Sequence, residues 1–163
     1  MSHGIVNNAM WQKTGGRFNM ENVKALAKFM GGAAVVGSPK SDFEFIKIIR
    51  LGLPSKVIEC VVQSSAVSED VIYSALRIAK RTAARRKASA SRLKAGESEL
   101  IYRFSKVLVA ATEILGDRDK ARDWLLTENR ALSGERPIAL LDTGIGFADV
   151  MDVLHRIEFG VYS

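Results

Sequence analysis

Apolar side chains recur every three or four residues along most of the chain, the spacing that places them on one face of an α-helix. The predicted helices run over Met20 to Met30, Phe43 to Arg50, Pro54 to Val62, Val71 to Leu76, Arg81 to Lys87, Glu97 to Leu115, Ala121 to Leu125, a short segment through Leu140 and Leu141, and Val150 to Ile157. Gly31-Gly32 and Gly160 are placed to end the first and the last of them. The pattern predicts an all-α fold.

Residues of special backbone chemistry mark several of the helix ends. Ser41 and Glu44 fit a capping box in which Ser41 is the N-cap and Glu44 reaches back to its amide. Pro54 suits the first turn of the next helix, because its missing N–H would be unpaired there. Asp117 is expected to cap the helix that follows it. The stretch from Thr143 to Gly146 is expected to break the chain before the last helix.

One short segment holds all of the excess positive charge. Residues 77–94 contain eight Lys or Arg and no Asp or Glu, whereas the whole chain has a net charge of +6. A solvated helix face usually mixes charges of both signs, since opposite charges four residues apart stabilise a helix. A long unopposed run of cations instead favours a polyanionic partner.

The elements around this segment predict a helix-turn-helix. A helix with Ser68 at its N-cap leads through Arg77-Ile78-Ala79 into the basic helix, and Ile78 is expected to fill the space between the two. The second helix has the diameter to enter the major groove, where an arginine fork can bond guanine. The candidate DNA-binding residues are Lys80, Arg81, Thr82, Arg85, Arg86 and Lys87. An ordinary solvated face remains the alternative interpretation.

Other classes of protein find little support in the composition. Catalysis would require a nucleophile with its base, a metal cluster or a phosphate-binding loop, whereas the chain offers one cysteine, Cys60, and two histidines in unlike settings. We therefore expect no enzyme. The start of the chain lacks a secretory pattern, and apolar runs are shorter than a membrane span. A cytoplasmic protein is predicted, with a loose arm over residues 1–19 and a small-residue linker over residues 31–40.

Two motifs give the chain a family resemblance from about Asp42 onward. One is the turn and basic helix from Leu76 to Arg86, followed by Leu93-Lys-Ala-Gly-Glu97. The other is the ordered C-terminal series Ala121-Arg-Asp-Trp-Leu125, Asn129, Ala131 to Pro137, Leu140-Leu-Asp-Thr143, Gly146, Val150, Leu154, Arg156-Ile157, Gly160 and Tyr162. In these positions the chain resembles the Xre/MbcA/ParS-like antitoxins, the partners of RES-domain toxins. Arg77 departs from that pattern, because glycine often fills this turn position.

The resemblance implies a division of labour along the chain. Residues 1–40 would form an N-terminal arm and short helix, residues 41–95 an Xre-like helix-turn-helix domain, and residues 96–163 a C-terminal toxin-binding domain. The family's toxins degrade NAD or use it to ADP-ribosylate a target. The antitoxin, without a cofactor of its own, would inhibit such a toxin and repress its own operon by binding operator DNA. A stand-alone helix-turn-helix repressor is the alternative function.

The resemblance also implies where the partners bind. The candidate toxin-binding residues are Arg136, His155, Arg156, Phe159, Gly160, Val161, Tyr162 and Ser163. The segment after Gly160 would lie in or over the NAD cleft of the toxin. Alternatively, Tyr162 packs on Leu154 and Phe159, Arg136 pairs with Asp142, and His155 stabilises the helix end. A palindromic operator implies a homodimer, whose contact could come from the helix of residues 42–51 or that of residues 97–115.

Overall fold

The computed structural model describes residues 20–160, except for the side chains of Lys80, Ala83 and Lys87. These residues form ten α-helices and one 3-10 turn, and no named strand occurs among them. The helices are α1 (Met20–Phe29), α2 (Ala33–Val36), α3 (Asp42–Leu51), α4 (Lys56–Ser65), α5 (Glu69–Ala75), α6 (Lys80–Ser89), α7 (Ala95–Leu115), α8 (Arg118–Leu126), α9 (Pro137–Leu140) and α10 (Gly144–Glu158), with the 3-10 turn at Arg130–Leu132. The predicted all-α fold is confirmed for this part of the chain. The arm expected over residues 1–19 lies outside it.

The 21-residue helix α7 is the element around which the others pack. It contacts α1, α3 and α4 from the first half of the chain and α8 and α10 from the second half. Ile101, Val107 and Ala111 are fully buried along it. Its buried serines are satisfied, because Ser98 accepts a hydrogen bond from the Leu53 amide at 2.9 Å and Ser105 donates to the Ile101 carbonyl at 2.7 Å. One continuous buried cluster therefore joins the two halves of the chain.

The segment between α1 and α4 differs from its prediction in three respects. The expected linker contains α2, whose Val36 is buried. Ser41 caps α3 as predicted, but the Glu44 carboxylate accepts its hydrogen bond from the Lys40 amide rather than from the Ser41 amide. The buried residues of α3 are Phe45 and Ile49, so the apolar positions that suggested this helix lie mainly at the surface.

Two helices also begin at residues other than those predicted. Pro54 lies before α4 rather than in its first turn, where it forms an isolated bridge with Arg92. Thr143 does not break the chain, because its hydroxyl accepts a hydrogen bond from the Gly146 amide at 3.0 Å and caps α10. Both glycines of the Gly144-Ile-Gly146 stretch are therefore helical. Helix propensity disfavours glycine, but the cap and the packing of the following apolar face outweigh that cost.

The close approach of α9 to α10 explains the glycine at position 146. A Cβ atom added at Gly146 would lie 2.2 Å from the carbonyl oxygen of Leu140, a separation that no side chain can occupy. At Gly144, the nearest atom to an added Cβ is the Nη2 of Arg103 at 3.9 Å, which is an ordinary contact. Two glycines in the same helical turn thus have different reasons to be there.

We predict that Gly146→Ala lowers the free energy of unfolding by about 1–3 kcal/mol, because α9 or α10 must shift to admit the methyl group. Gly144→Ala is the matched control and should stabilise α10 slightly, by up to about 1 kcal/mol, through helix propensity. Urea denaturation of both variants measures the two effects. Equal stability of the two variants would contradict the packing described above.

Candidate functional site

Residues 76–79 form the turn between α5 and α6. α5 ends at Ala75, and α6 begins at Lys80. The amide of Ile78 donates to the carbonyl of Tyr73 at 3.0 Å, and the Ile78 side chain is buried in the core. Arg77 adopts a left-handed conformation with φ of 54°. Glycine would adopt this conformation without strain, whereas an L-residue is strained there.

Arg77 uses its side chain in a way that glycine could not. Its guanidinium lies 2.5 Å from the carboxylate of Asp142, in the connection between α9 and α10. The pair therefore links the turn before the basic helix to the C-terminal part of the fold. Three-quarters of the Arg77 side chain is exposed, so the pair contributes little to stability. Asp142, which the sequence offered as a possible partner of Arg136, is thus paired with Arg77.

The three arginines of α6, all of them described, differ in exposure. Arg81 and Arg85 are exposed and lie four residues apart on one face of the helix, whereas Thr82 is half-buried. α6 has no acidic residue in its first turn. Lys80 and Lys87 lie on the same helix, but their side chains are not among those described. Arg81 and Arg85 are therefore the described arginines of α6 that face solvent.

Arg86 differs from its neighbours because it is paired within the fold. Its guanidinium lies 2.8 Å from the carboxylate of Glu97, in the first turn of α7. The two side chains are only 13% and 17% exposed. Glu97 also accepts a hydrogen bond from the Lys94 amide at 2.8 Å. The prediction that the charge of this segment is unopposed is therefore wrong for Arg86, because Glu97 lies beyond the basic segment in sequence but beside it in space.

Arg92 is also engaged in the fold. Its guanidinium donates a hydrogen bond to the carbonyl of Gly52, which follows α3. The arginines of the basic segment therefore fall into two groups. Arg77, Arg86 and Arg92 contact neighbouring elements of the fold. Arg81 and Arg85 face solvent and remain available to a partner.

The candidate toxin-binding residues occupy two places. Arg136 precedes α9 as its N-cap residue and is exposed. His155 is half-buried and Arg156 is exposed in the last turn of α10, where cations favour the helix dipole. Phe159 is 45% exposed, and Gly160 has φ of 65°. Val161, Tyr162 and Ser163 lie outside the described residues.

An exposed apolar residue at the other end of α10 was missed by sequence reasoning. Ile145 is 79% exposed in the first turn of α10, although the buried face of this helix is formed by Val150 and Leu154. Its position out of phase with the buried residues was the available signal, but the flanking glycines suggested a break in the helix. With 15 residues, α10 is about 22 Å long. Ile145 and Phe159 therefore lie at opposite ends of α10.

The electrostatics of this region are more acidic than those of α6. Residues 95–163 hold eight basic and twelve acidic side chains. Burial, followed by the charge of Glu158, raises the pKa of Glu113 above its ordinary value. Glu113 lies near the end of α7 and Glu158 at the end of α10, and these two helices pack together. The C-terminal part of the fold therefore offers a surface of different charge from that of α6.

The described part of the chain was also compared with the requirements of a metal site, a reactive thiol and a membrane-spanning helix. Within residues 20–160, no three His, Cys, Asp or Glu side chains lie together so as to hold a metal ion. Burial raises the pKa of the Cys60 thiol, which makes it a weaker nucleophile at neutral pH. Among the helices of this range, none has both the length and the apolar character to span a bilayer.

Comparison with known proteins identifies the C-terminal part of the chain. Residues 110–160 match the model of the family described as "Antitoxin Xre/MbcA/ParS C-terminal toxin-binding domain". A protein named Antitoxin Xre from Yersinia enterocolitica is 34% identical over 130 residues, which cover 78% of this chain and 88% of the relative. Another Antitoxin Xre, from Photorhabdus laumondii, is 33% identical over the same length and coverage. The chain belongs to the Xre antitoxin family.

Membership in this family agrees with the resemblance drawn from the sequence motifs. The protein is an antitoxin of a toxin–antitoxin system, and its partner is a toxin. The family match begins within α7 and ends at Gly160. It therefore includes Arg136, Ile145, His155, Arg156 and Phe159. The basic helix α6 of the antitoxin lies outside the matched residues.

We predict that Arg86→Ala lowers the free energy of unfolding of the antitoxin by about 2–4 kcal/mol, because the Glu97 carboxylate is left buried without its partner. Arg85→Ala, the same change one residue earlier at an exposed site, should stay within about 0.5 kcal/mol of wild type. Urea denaturation of both variants provides the measurement. Adding Glu97→Ala to Arg86→Ala should recover part of the loss. Equal destabilisation by Arg85→Ala and Arg86→Ala would show that the pair carries no special weight.

Proposed function

We propose that this antitoxin binds operator DNA through α6 and inhibits a RES-domain toxin through the C-terminal end of α10 and the residues that follow it. The toxin would consume NAD or use it for ADP-ribosylation. The observation that carries the DNA role is the pair of exposed arginines on α6, beside a third arginine that is largely buried in an ion pair. Two cations exposed on the same face of a helix indicate that this face binds an anionic partner.

The geometry of the α5–α6 turn supports docking in the major groove. The buried Ile78 holds α6 against the body of the protein. Arg81 and Arg85 face solvent one helical turn apart. In a groove, a guanidinium can bond guanine O6 and N7 with both arms of its fork or can neutralise a phosphate. Arg86 and Arg92 make their contacts within the fold, to Glu97 and to the Gly52 carbonyl, and we assign them no direct DNA contact.

The family match supports the toxin role. Its description names a toxin-binding domain, and the matched residues include the exposed end of α10. The identity of the toxin as a RES-domain enzyme rests on the resemblance in the motifs from Leu76 to Glu97 and from Ala121 to Tyr162. We propose that Val161, Tyr162 and Ser163 enter the NAD cleft, while Phe159 packs at its rim. A repressor without a toxin partner would leave the family match unexplained.

For DNA binding, we expect the double variant Arg81→Glu and Arg85→Glu to lose about a hundredfold or more in operator affinity, since each arginine contact contributes about 1–3 kcal/mol. Fluorescence anisotropy with the operator fragment provides the measurement. Lys24→Glu with Lys28→Glu, two exposed residues of α1, makes the same change in net charge and should retain most of the affinity.

The salt dependence of binding gives a second readout for the same variants. Wild-type binding should weaken with salt, with a slope of about −0.9 in log–log form for each phosphate contact. The α6 variant should show a shallower slope than the α1 control. An unchanged affinity after reversal of both α6 charges would contradict the assignment of this helix.

For toxin inhibition, we expect a variant that lacks Val161, Tyr162 and Ser163 to bind the toxin but to leave its NAD turnover largely uninhibited. The physical reason is that occlusion of the cleft depends on these residues, whereas complex formation depends on the folded surface of α10. Size-exclusion chromatography and an NAD-consumption assay separate the two effects. Arg118→Ala, an exposed change at the start of α8, serves as the control. Full inhibition by the shortened chain would rule out this role for the three residues.

A further inference from the structure

Two glycines in the described part of the chain are not required by the fold. They are Gly96 and Gly144, each in the first turn of a helix and in a backbone conformation that any residue can adopt. An added Cβ atom would meet no atom within 4 Å at Gly96, and at Gly144 it would meet only the Nη2 of Arg103, at 3.9 Å. Glycine weakens a helix relative to alanine. The packing of this chain therefore does not explain either glycine.

Both glycines border one groove, which lies between the start of α7 and the connection from α9 to α10. Gly96 lines this groove, and Gly144 adjoins Arg103, which lines it as well. The groove has a volume of about 520 Å³. Glycine lets the backbone of another molecule approach closely, so the two absent side chains leave room for a chain from outside. The other lining residues are Lys94, Glu97, Glu99, Leu100 and Asp142.

Three charged side chains of the groove already have partners within the fold. Arg103 donates a hydrogen bond to the Leu141 carbonyl at 3.3 Å and lies 2.7 Å from the Glu99 carboxylate. The third side chain, Asp142, pairs with Arg77. These contacts hold the walls of the groove in place and leave the three side chains little charge to offer. An occupant is therefore recognised by shape and apolar contact more than by charge.

An exposed apolar side chain lies beside the groove. Ile145 follows Gly144 in the first turn of α10 and is 79% exposed. Leu100, which lines the groove, is half-buried against the core. A single exposed apolar side chain is common on protein surfaces, but here it adjoins an apolar recess that two glycines keep open. This combination fits a segment of another protein.

The position of the groove in the chain indicates which protein binds there. Gly144 and Ile145 belong to the residues that match the toxin-binding family, whereas the start of α7 precedes them. Ile145 and Phe159 are 14 residues apart, or about 21 Å along α10. A protein interface of ordinary size covers that distance. A toxin that contacts the C-terminal end of α10 can therefore reach the groove at the other end.

We propose that this groove is a second contact for the toxin, remote from the C-terminal tail. An extended segment of the toxin lies between Gly96 and Gly144 and places an apolar side chain on Leu100, while Ile145 inserts into a pocket of the toxin. The contact extends beyond the family-matched residues to the start of α7. The inference rests on the proposed binding of a toxin, but not on the RES assignment or on the role of the tail.

The affinity of the full chain for the toxin encoded beside it tests the apolar anchor. Surface plasmon resonance with the immobilised toxin provides the measurement. Ile145→Ser should weaken binding about tenfold or more, as truncation of an interface anchor does. Met20→Ser, which removes another exposed apolar side chain, should bind as wild type does. Equal affinity of the two variants would overturn the proposal.

The glycines are tested by adding one methyl group at each. Gly96→Ala with Gly144→Ala should weaken toxin binding about tenfold, because the methyl groups narrow the groove. The same variant should keep or raise its melting temperature, since alanine favours both helices. Ala33→Leu, which enlarges an exposed side chain in the first turn of α2, is the control and should bind normally. Wild-type affinity of the double glycine variant would contradict the assignment of the groove.

Salt and operator DNA separate this contact from an electrostatic one. The loss of toxin affinity in Ile145→Ser should be the same at low and high salt, because the side chain carries no charge and the charges nearest to it are paired within the fold. Operator binding by the same variant should equal that of wild type. A loss of operator affinity with unchanged toxin affinity would assign the groove to DNA and overturn the proposal.

The NAD-consumption assay distinguishes this contact from the proposed role of the tail. At saturating concentration, Ile145→Ser should inhibit the toxin fully, because it retains Val161, Tyr162 and Ser163. If the variant without these three residues inhibits fully while Ile145→Ser binds weakly, the groove assignment stands and the role of the tail fails. If the shortened chain loses inhibition while Ile145→Ser binds the toxin as wild type does, the role of the tail stands and the groove assignment fails.

Discussion

The burial of α7 on several sides is the constraint on which the rest of the structure depends. This helix packs against α1, α3 and α4 with one part of its surface and against α8 and α10 with another. Such a helix cannot be removed from either half of the chain without exposing the core of the other. The part of the antitoxin that includes α6 and the part that matches the toxin-binding family are therefore built on a common core rather than joined by a linker.

Two ion pairs connect the basic segment to elements of this common core. Arg86 pairs with Glu97 at the start of α7, and Arg77 pairs with Asp142 before α10. The first pair is largely buried, so it orients α6 relative to α7. The second is exposed and contributes little energy, but it places a charged side chain of the turn in contact with the C-terminal half. Both contacts use arginines from the basic segment, so the segment contributes to the fold as well as to the charge of its surface.

Sequence reasoning predicted much of the fold because the strongest signals were local. The long period from Leu100 to Leu115 and the glycine at position 116 were enough to place α7, and Asp117 caps α8 as expected. The turn around Ile78 was also predicted, because a buried apolar residue between two helices leaves a clear pattern. Local signals failed where two patterns competed. Gly144 and Gly146 suggested a break in the chain, whereas the Thr143 cap and the close approach of Leu140 make both of them helical.

The sequence by itself determined the class of fold, the family and the place of the charge excess, because helical period, motif order and composition are properties of neighbouring residues. Only the tertiary structure decided which arginines of the segment face solvent, since Glu97 and Asp142 lie outside the segment in the chain and meet it only after folding. It also decided which side of α3 is buried, because Phe45 and Phe43 are equally apolar in sequence. Tyr102, on α7, packs on Phe45 and leaves Phe43 to solvent.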